Sequence, residues 1–204
     1  MPTPPDETIP PFEPAPALGH RHVQTFWGRL TRPRLLVPLR RETLPTPDGD
    51  ELVLDHLDGP ADAPRVFLLH GLEGSAHSVY VQGLLALLKD RGLRAVAINF
   101  RSCARALPAL DRNLPNRGSR LYHSGETADF DHVARTIAGA GADVPHGAIG
   151  VSLGGNVLLK WLGENPGQRL LAAAATISVP FDLEAGARNL EKGLGPVYTA
   201  TFLR

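Results

Sequence analysis

The stretch that decides the fold is Gly150-Val151-Ser152-Leu153-Gly154, a G-x-S-x-G pattern. It follows a short apolar run, Ala148–Val151, and opens a helix-forming run, Gly154–Glu164. A serine between a buried strand and a helix sits on a sharp, strained turn that lifts its hydroxyl above the sheet. Gly150 and Gly154 let neighbouring backbone approach where a Cβ would collide. The helix N-terminus beneath the serine favours developing negative charge. Ser152 is therefore the candidate nucleophile. The plainer alternative is a Ser-Gly start of a helix, which the strand–turn–helix context disfavours.

Working outward, Arg65–Leu69 (RVFLL) and Ala95–Asn99 (AVAIN) are short continuous apolar strands of the kind buried on both faces. Between them, Val79–Arg91 carries Tyr80, Leu84, Leu87 and Leu88 on one helical stripe and stops at Gly92. Upstream, Leu35–Glu42 and Glu51–Leu57 read as strands joined by the turn Pro47-Asp48-Gly49-Asp50. Downstream, Arg101–His123 is a long loop, and Ser124 is a candidate N-cap for a helix bearing Phe130, Val133 and Ile137. Leu171–Val179 reads as a sixth strand and Asp182–Glu191 as a helix. The order β-β-β-α-β-α-β-α-β-α predicts an α/β fold, a mostly parallel sheet with helices on both faces and an antiparallel hairpin at one edge.

His70-Gly71-Leu72-Glu73-Gly74-Ser75 directly follows the third strand. A glycine turn there faces the serine turn across the carboxyl ends of neighbouring parallel strands, where ligands bind. The backbone N–H groups of Leu72 and Leu153 are the candidate oxyanion-hole donors.

The protein has 204 residues, with 21 Lys+Arg against 21 Asp+Glu and a formal net charge of zero. That balance argues against nucleic-acid binding and against a polybasic membrane surface. Hydrophobic residues at 43% are an ordinary globular share. One cysteine, Cys103, rules out an internal disulfide and a multi-cysteine zinc site. No run of 18 apolar residues occurs, so no transmembrane segment is expected. The N-terminus lacks the charge and apolar pattern of a secretory signal, and a cytoplasmic setting is expected. Seven of the 19 prolines fall in the first 16 residues. Residues 1–18 are therefore expected to be an extended arm, with 19–204 as the domain. Neither a G-x-x-x-x-G-K-[ST] nor a G-x-G-x-x-G motif exists, so no cofactor is expected. No H-E-x-x-H occurs either, and no metal is expected.

At these motifs the sequence resembles the YheT-like branch of the α/β-hydrolases, the AB hydrolase 4 family. The resemblance rests on Gly19-His20, Gln24-Thr25, Leu69–Ser75 with Ser78 and Tyr80, and Asn99-Phe100-Arg101. It continues through Leu121–Gly125, Gly150–Glu164 and Ser178–Leu183. It implies an α/β-hydrolase fold and a serine hydrolase acting on small-molecule carboxylic esters. The segment Ser102–Gly118 departs from it, being longer and less glycine-rich than the family loop.

The resemblance also exposes a gap. In this fold the catalytic order is Ser, then Asp or Glu, then His. Of the 52 residues after Ser152 none is histidine, and all eight histidines precede it. The protein is therefore expected to be truncated at its C-terminus relative to the family. It would lack the last two strands with the triad acid and histidine, and could be inactive alone. The alternative is a non-catalytic relic or small-molecule-binding pseudo-hydrolase. Asp182 and Glu184 are alternative acids, with Asp182 better explained as a helix N-cap. His70 and His123 are alternative bases, better explained as structural histidines. Leu171–Val179, apolar and uncharged, would be left with an open edge that invites self-association.

Overall fold

The computed structural model describes residues 11, 13–20, 23–24, 27–28, 31, 35–139 and 144–190. The polypeptide divides into two units, Met1–Arg34 and Leu35–Arg204. In the first, short helical stretches carry a Gln24 N–H to His20 C=O bond of 3.1 Å and a Thr31 hydroxyl bond to the Trp27 carbonyl. Residues 1–10 and 12 of the expected Pro-rich arm, and Glu191 at the end of the expected last helix, lie outside the described residues.

The second unit is built on six strands: β1 (Arg40–Pro45), β2 (Glu51–Leu57), β3 (Arg65–Leu69), β4 (Arg94–Asn99), β5 (His146–Val151) and β6 (Ala173–Ile177). Among the described residues, four helices interleave with them: α1 (Val79–Asp90), α2 (Ala128–Gly139), α3 (Leu153–Glu164) and α4 (Leu183–Leu190). The sheet order is β1-β2-β4-β3-β5-β6. β2 runs antiparallel to β1 and β4, and β3 to β6 are parallel.

Strand alternation splits the core in two. Phe67, Leu69, Val96 and Ile98 point to the face covered by α2 and α3, where they meet Phe130, Val133, Val157 and Trp161. Val66, Leu68, Ala95 and Ala97 point to the opposite face, against Val81, Leu85 and Leu88 of α1. α2 and α3 join through the Phe130–Trp161 edge contact and a 2.8 Å bond from the Trp161 indole to Asp131. Gly92, at φ +66°, ends α1, and the Leu93 N–H closes onto the Leu88 carbonyl.

Three local expectations are corrected. The first strand begins at Arg40, not Leu35: the Val37 N–H goes 2.7 Å to the Gln82 side chain instead of into the sheet. The buried stripe of α1 is Val81, Gln82, Leu85 and Leu88, while Leu87 is 46% exposed. Gln82 is accommodated inside because it binds both the Val37 amide and the Ala76 carbonyl. The helix expected from a Ser124 cap starts instead at Ala128, whose N–H is taken by the Glu126 carboxylate at 2.8 Å.

The loop from Arg101 to His123 is ordered by buried charge. The Arg101 guanidinium makes two 2.7 Å bonds to Asp129 and reaches Asp50 at 3.1 Å. Asp50 in turn accepts the Arg117 and Gly118 amides. This cross-brace ties the β1–β2 turn, the loop after β4 and helix α2 into one support.

Candidate active site

Ser152 lies between β5 and α3 with φ 53° and ψ −119°, a backbone conformation seldom adopted outside glycine. The strain is held from both sides. The Ser152 N–H donates 2.8 Å to the Ile177 carbonyl, and the Ser152 carbonyl accepts the Gly155 amide. The neighbouring glycines are steric requirements. A Cβ on Gly154 would lie 2.4 Å from the Leu69 oxygen, and one on Gly150 would lie 2.5 Å from the Gly154 oxygen. The turn is therefore pressed against the end of β3. The Ser152 side chain is half-buried, and among the described residues its hydroxyl makes no hydrogen bond.

The turn after β3 meets it directly: the Ser152 Cβ lies 3.2 Å from where a Gly71 Cβ would stand. Three successive features fix this turn. The Gly71 N–H donates 2.8 Å to the Tyr80 hydroxyl. The Gly71 carbonyl accepts both His70 Nδ1–H at 2.7 Å and the Gly74 N–H at 3.0 Å. The Glu73 N–H donates 2.8 Å to the Tyr122 hydroxyl. The carbonyl and N–H of a trans peptide point in opposite directions. Pinning the Gly71 oxygen therefore sets the direction of the Leu72 N–H. Among the described residues, neither the Leu72 nor the Leu153 N–H finds a protein acceptor.

The histidines separate on their hydrogen bonds. His70 is buried, with Nδ1 on the Gly71 carbonyl and Nε2 accepting the Phe100 N–H at 3.1 Å. Both nitrogens are engaged, and burial pulls its pKa down to about 4. It is a neutral imidazole locked in one tautomer. His123 is exposed, with Nδ1 accepting the Gly125 N–H. Asp182 caps α4, its carboxylate accepting the Ala185 N–H at 2.8 Å, and Glu184 pairs with Arg188. Cys103 is buried, and burial pushes its thiol up to about 12, so it is not a thiolate at neutral pH.

Sequence reasoning missed the residues that support the turn. Asn99 accepts the Ala76 N–H at 2.9 Å and donates to the Val53 carbonyl and to Asp55. Asp55 is held by Arg41 through two bonds of 2.8 and 2.9 Å. A polar residue ending an apolar strand was the available signal for Asn99. Tyr80 and Tyr122 stand among the residues of the family resemblance, with no role assigned to either.

No protein-family model matches the sequence. YheT of Escherichia coli (strain K12), named as a candidate esterase, is 37% identical over 195 residues, covering 94% of this protein and 55% of its own length. Embryogenesis-associated protein EMB8 of Picea glauca is 31% identical, covering 91% of this protein and 41% of itself. Phospholipase ABHD3 of Homo sapiens is 31% identical, covering 88% of this protein and 46% of itself. The 204 residues thus span about half the length of the curated relatives they match. Among solved structures, an esterase from Pyrococcus furiosus superposes with TM-score 0.58 at 18% identity, covering 79% of this protein and 64% of that one. A serine hydrolase without lid from Xanthomonas campestris gives 0.55 at 19% identity, covering 74% and 65%. These two establish the fold. Similarity to YheT runs through nearly the whole sequence, on a sheet shared with solved hydrolases: this protein has the α/β-hydrolase fold and resembles YheT in sequence.

Proposed function

We propose that this protein holds the nucleophile and oxyanion hole of a serine hydrolase acting on small-molecule carboxylic esters. The observation that carries this reading is the strained backbone of Ser152, φ 53° and ψ −119°, packed against Gly71 of the turn after β3. The Ser152 Oγ adds to the ester carbonyl carbon as its proton passes to a base. The carbonyl oxygen becomes an oxyanion that accepts the Leu72 and Leu153 N–H groups. The alcohol leaves with a proton, and water then releases the acid from the acyl-serine. YheT is named for esterase and ABHD3 for phospholipase activity, and both names point to ester bonds.

The base does not come from His70, whose ring nitrogens are both occupied. We place the histidine and its acid partner in a region beyond the 204 residues, consistent with relatives about twice as long. The open hydroxyl of Ser152 favours a second reading for the 204 residues by themselves, a binding module that retains the pocket without turnover. Binding and the oxyanion hole alone leave about 10³–10⁴-fold over water. No described helix is long and apolar enough to cross a membrane. A fluorophosphonate probe tests the main reading. Labelling of the folded protein that disappears in Ser152→Ala supports it; absence of labelling in both the 204-residue protein and a longer natural form refutes it.

A further inference from the structure

We infer that Tyr122 and Glu73 form a positioning pair that holds the Leu72 N–H toward Ser152, an inference that rests on the serine-hydrolase reading above. The Glu73 N–H donates 2.8 Å to the Tyr122 hydroxyl, and that hydroxyl donates 2.7 Å to the Glu73 carboxylate. One phenol thus serves as acceptor and donor to a single residue. Glu73 needs such a hold, because its φ of 53° is unfavourable for a side chain with a Cβ.

The consequence falls on Leu72, which lies between two peptide units. The unit before it is pinned through the Gly71 carbonyl by His70 and Gly74. Among the described residues, the unit after it is pinned only through the Glu73 N–H, by Tyr122. With both held, the Leu72 backbone has little rotation left, and its N–H keeps its aim. Releasing Tyr122 frees one side of that residue.

Tyr122 is itself well fixed. Its ring stacks on Phe100 at 5.2 Å and 4°, and it meets the edge of His70 at 6.5 Å. Phe100 also donates its N–H to His70 Nε2. The loop after β4, whose root is braced by Arg101 and Asp129, therefore reaches across to the oxyanion turn with a rigid arm. The same tether holds the Glu73 carboxylate on the phenol. Burial and this carboxylate raise the phenol pKa, so the donor proton is retained at all working pH values.

An oxyanion donor acts only in the transition state, so misaiming it lowers kcat and spares KM. The test uses the 204-residue protein and reads its turnover of p-nitrophenyl butyrate, residual or full, together with its affinity for phenylboronic acid. Tyr122→Phe keeps the ring stack and removes the hydroxyl, and Glu73→Ala removes the carboxylate. Each is expected to lower kcat about tenfold, with KM changed less than about twofold. Phenylboronic acid, which forms a tetrahedral adduct on serine, should lose affinity by the same factor as kcat/KM. Glu73→Gln keeps an oxygen acceptor for the phenol and should restore most of the rate lost in Glu73→Ala. The inference fails if Tyr122→Phe keeps the parent kcat, or if the loss appears in KM alone. Ser152→Ala separates the two levels: full activity in that variant sinks the serine-hydrolase reading itself. Loss of activity there with a normal Tyr122→Phe sinks only the positioning pair.

Discussion

Ser152 shows how much a single residue can be asked to bear. Its strained φ survives because backbone on three sides leaves it nowhere to relax, and the glycines around it are part of that enclosure. Gly154→Ala would press a methyl group to within 2.4 Å of the Leu69 oxygen and 2.5 Å of the His70 oxygen. A cost of about 3 kcal/mol in urea unfolding is expected, with loss of serine labelling in whatever fraction remains folded. A variant as stable and as reactive as the parent would contradict this packing. His70 makes a second residue-level prediction. Its imidazole takes a proton near 6.5 when unfolded but only near 4 when folded. The unfolded state therefore binds more protons in that window. Stability is fully present above pH 6.5 and falls as the pH drops toward 4, by on the order of 3 kcal/mol. An NMR titration should find its ring signals unmoved down to pH 5, and movement centred at 6.5 would refute the buried, doubly bonded imidazole.

Among the elements, helix α2 and the loop before it depend on a buried ionic joint. Asp129 accepts two 2.7 Å bonds from an Arg101 whose side chain is 1% exposed. Removing Asp129 leaves the buried guanidinium with Asp48 and Asp50 as counter-charges but with two of its donors unpaired away from water, which costs about 3 kcal/mol. Asp129→Ala is expected to lower the urea midpoint accordingly. Lys160→Ala, which breaks an exposed pair with Glu164 on α3, should cost less than about 1 kcal/mol. Equal effects would show that the joint is not the brace described here. The β1–β2 hairpin illustrates why element bounds slip by a few residues in sequence. Leu35–Leu39 are as apolar as a strand, but pairing begins only where the turn at Thr46–Asp50 sets the register.

At the scale of the whole molecule, β6 is the exposed feature: four of its five residues are open to solvent, and among the described strands it pairs only with β5. We propose that the 204-residue protein self-associates through this edge. Light scattering after size exclusion should find a species larger than a monomer, shifted toward the monomer by Ala174→Lys. A stable monomer without the substitution would rule this out. Order along the sequence was enough to read the α/β layering, the strands β2 and β3 to the residue, and Ser152 between strand and helix, because period and turn chemistry are local properties. Tyr122 on the Glu73 amide, Asn99 on Ala76 and Arg101 on Asp129 are separated by 49, 23 and 28 residues, and no local pattern announces them. The pairings of Asn99 and Arg101 are settled by which buried polar groups the closed sheet brings within hydrogen-bond reach, since each must find a partner once water is gone; that of Tyr122 with the exposed Glu73 is settled by where the loop after β4 folds back.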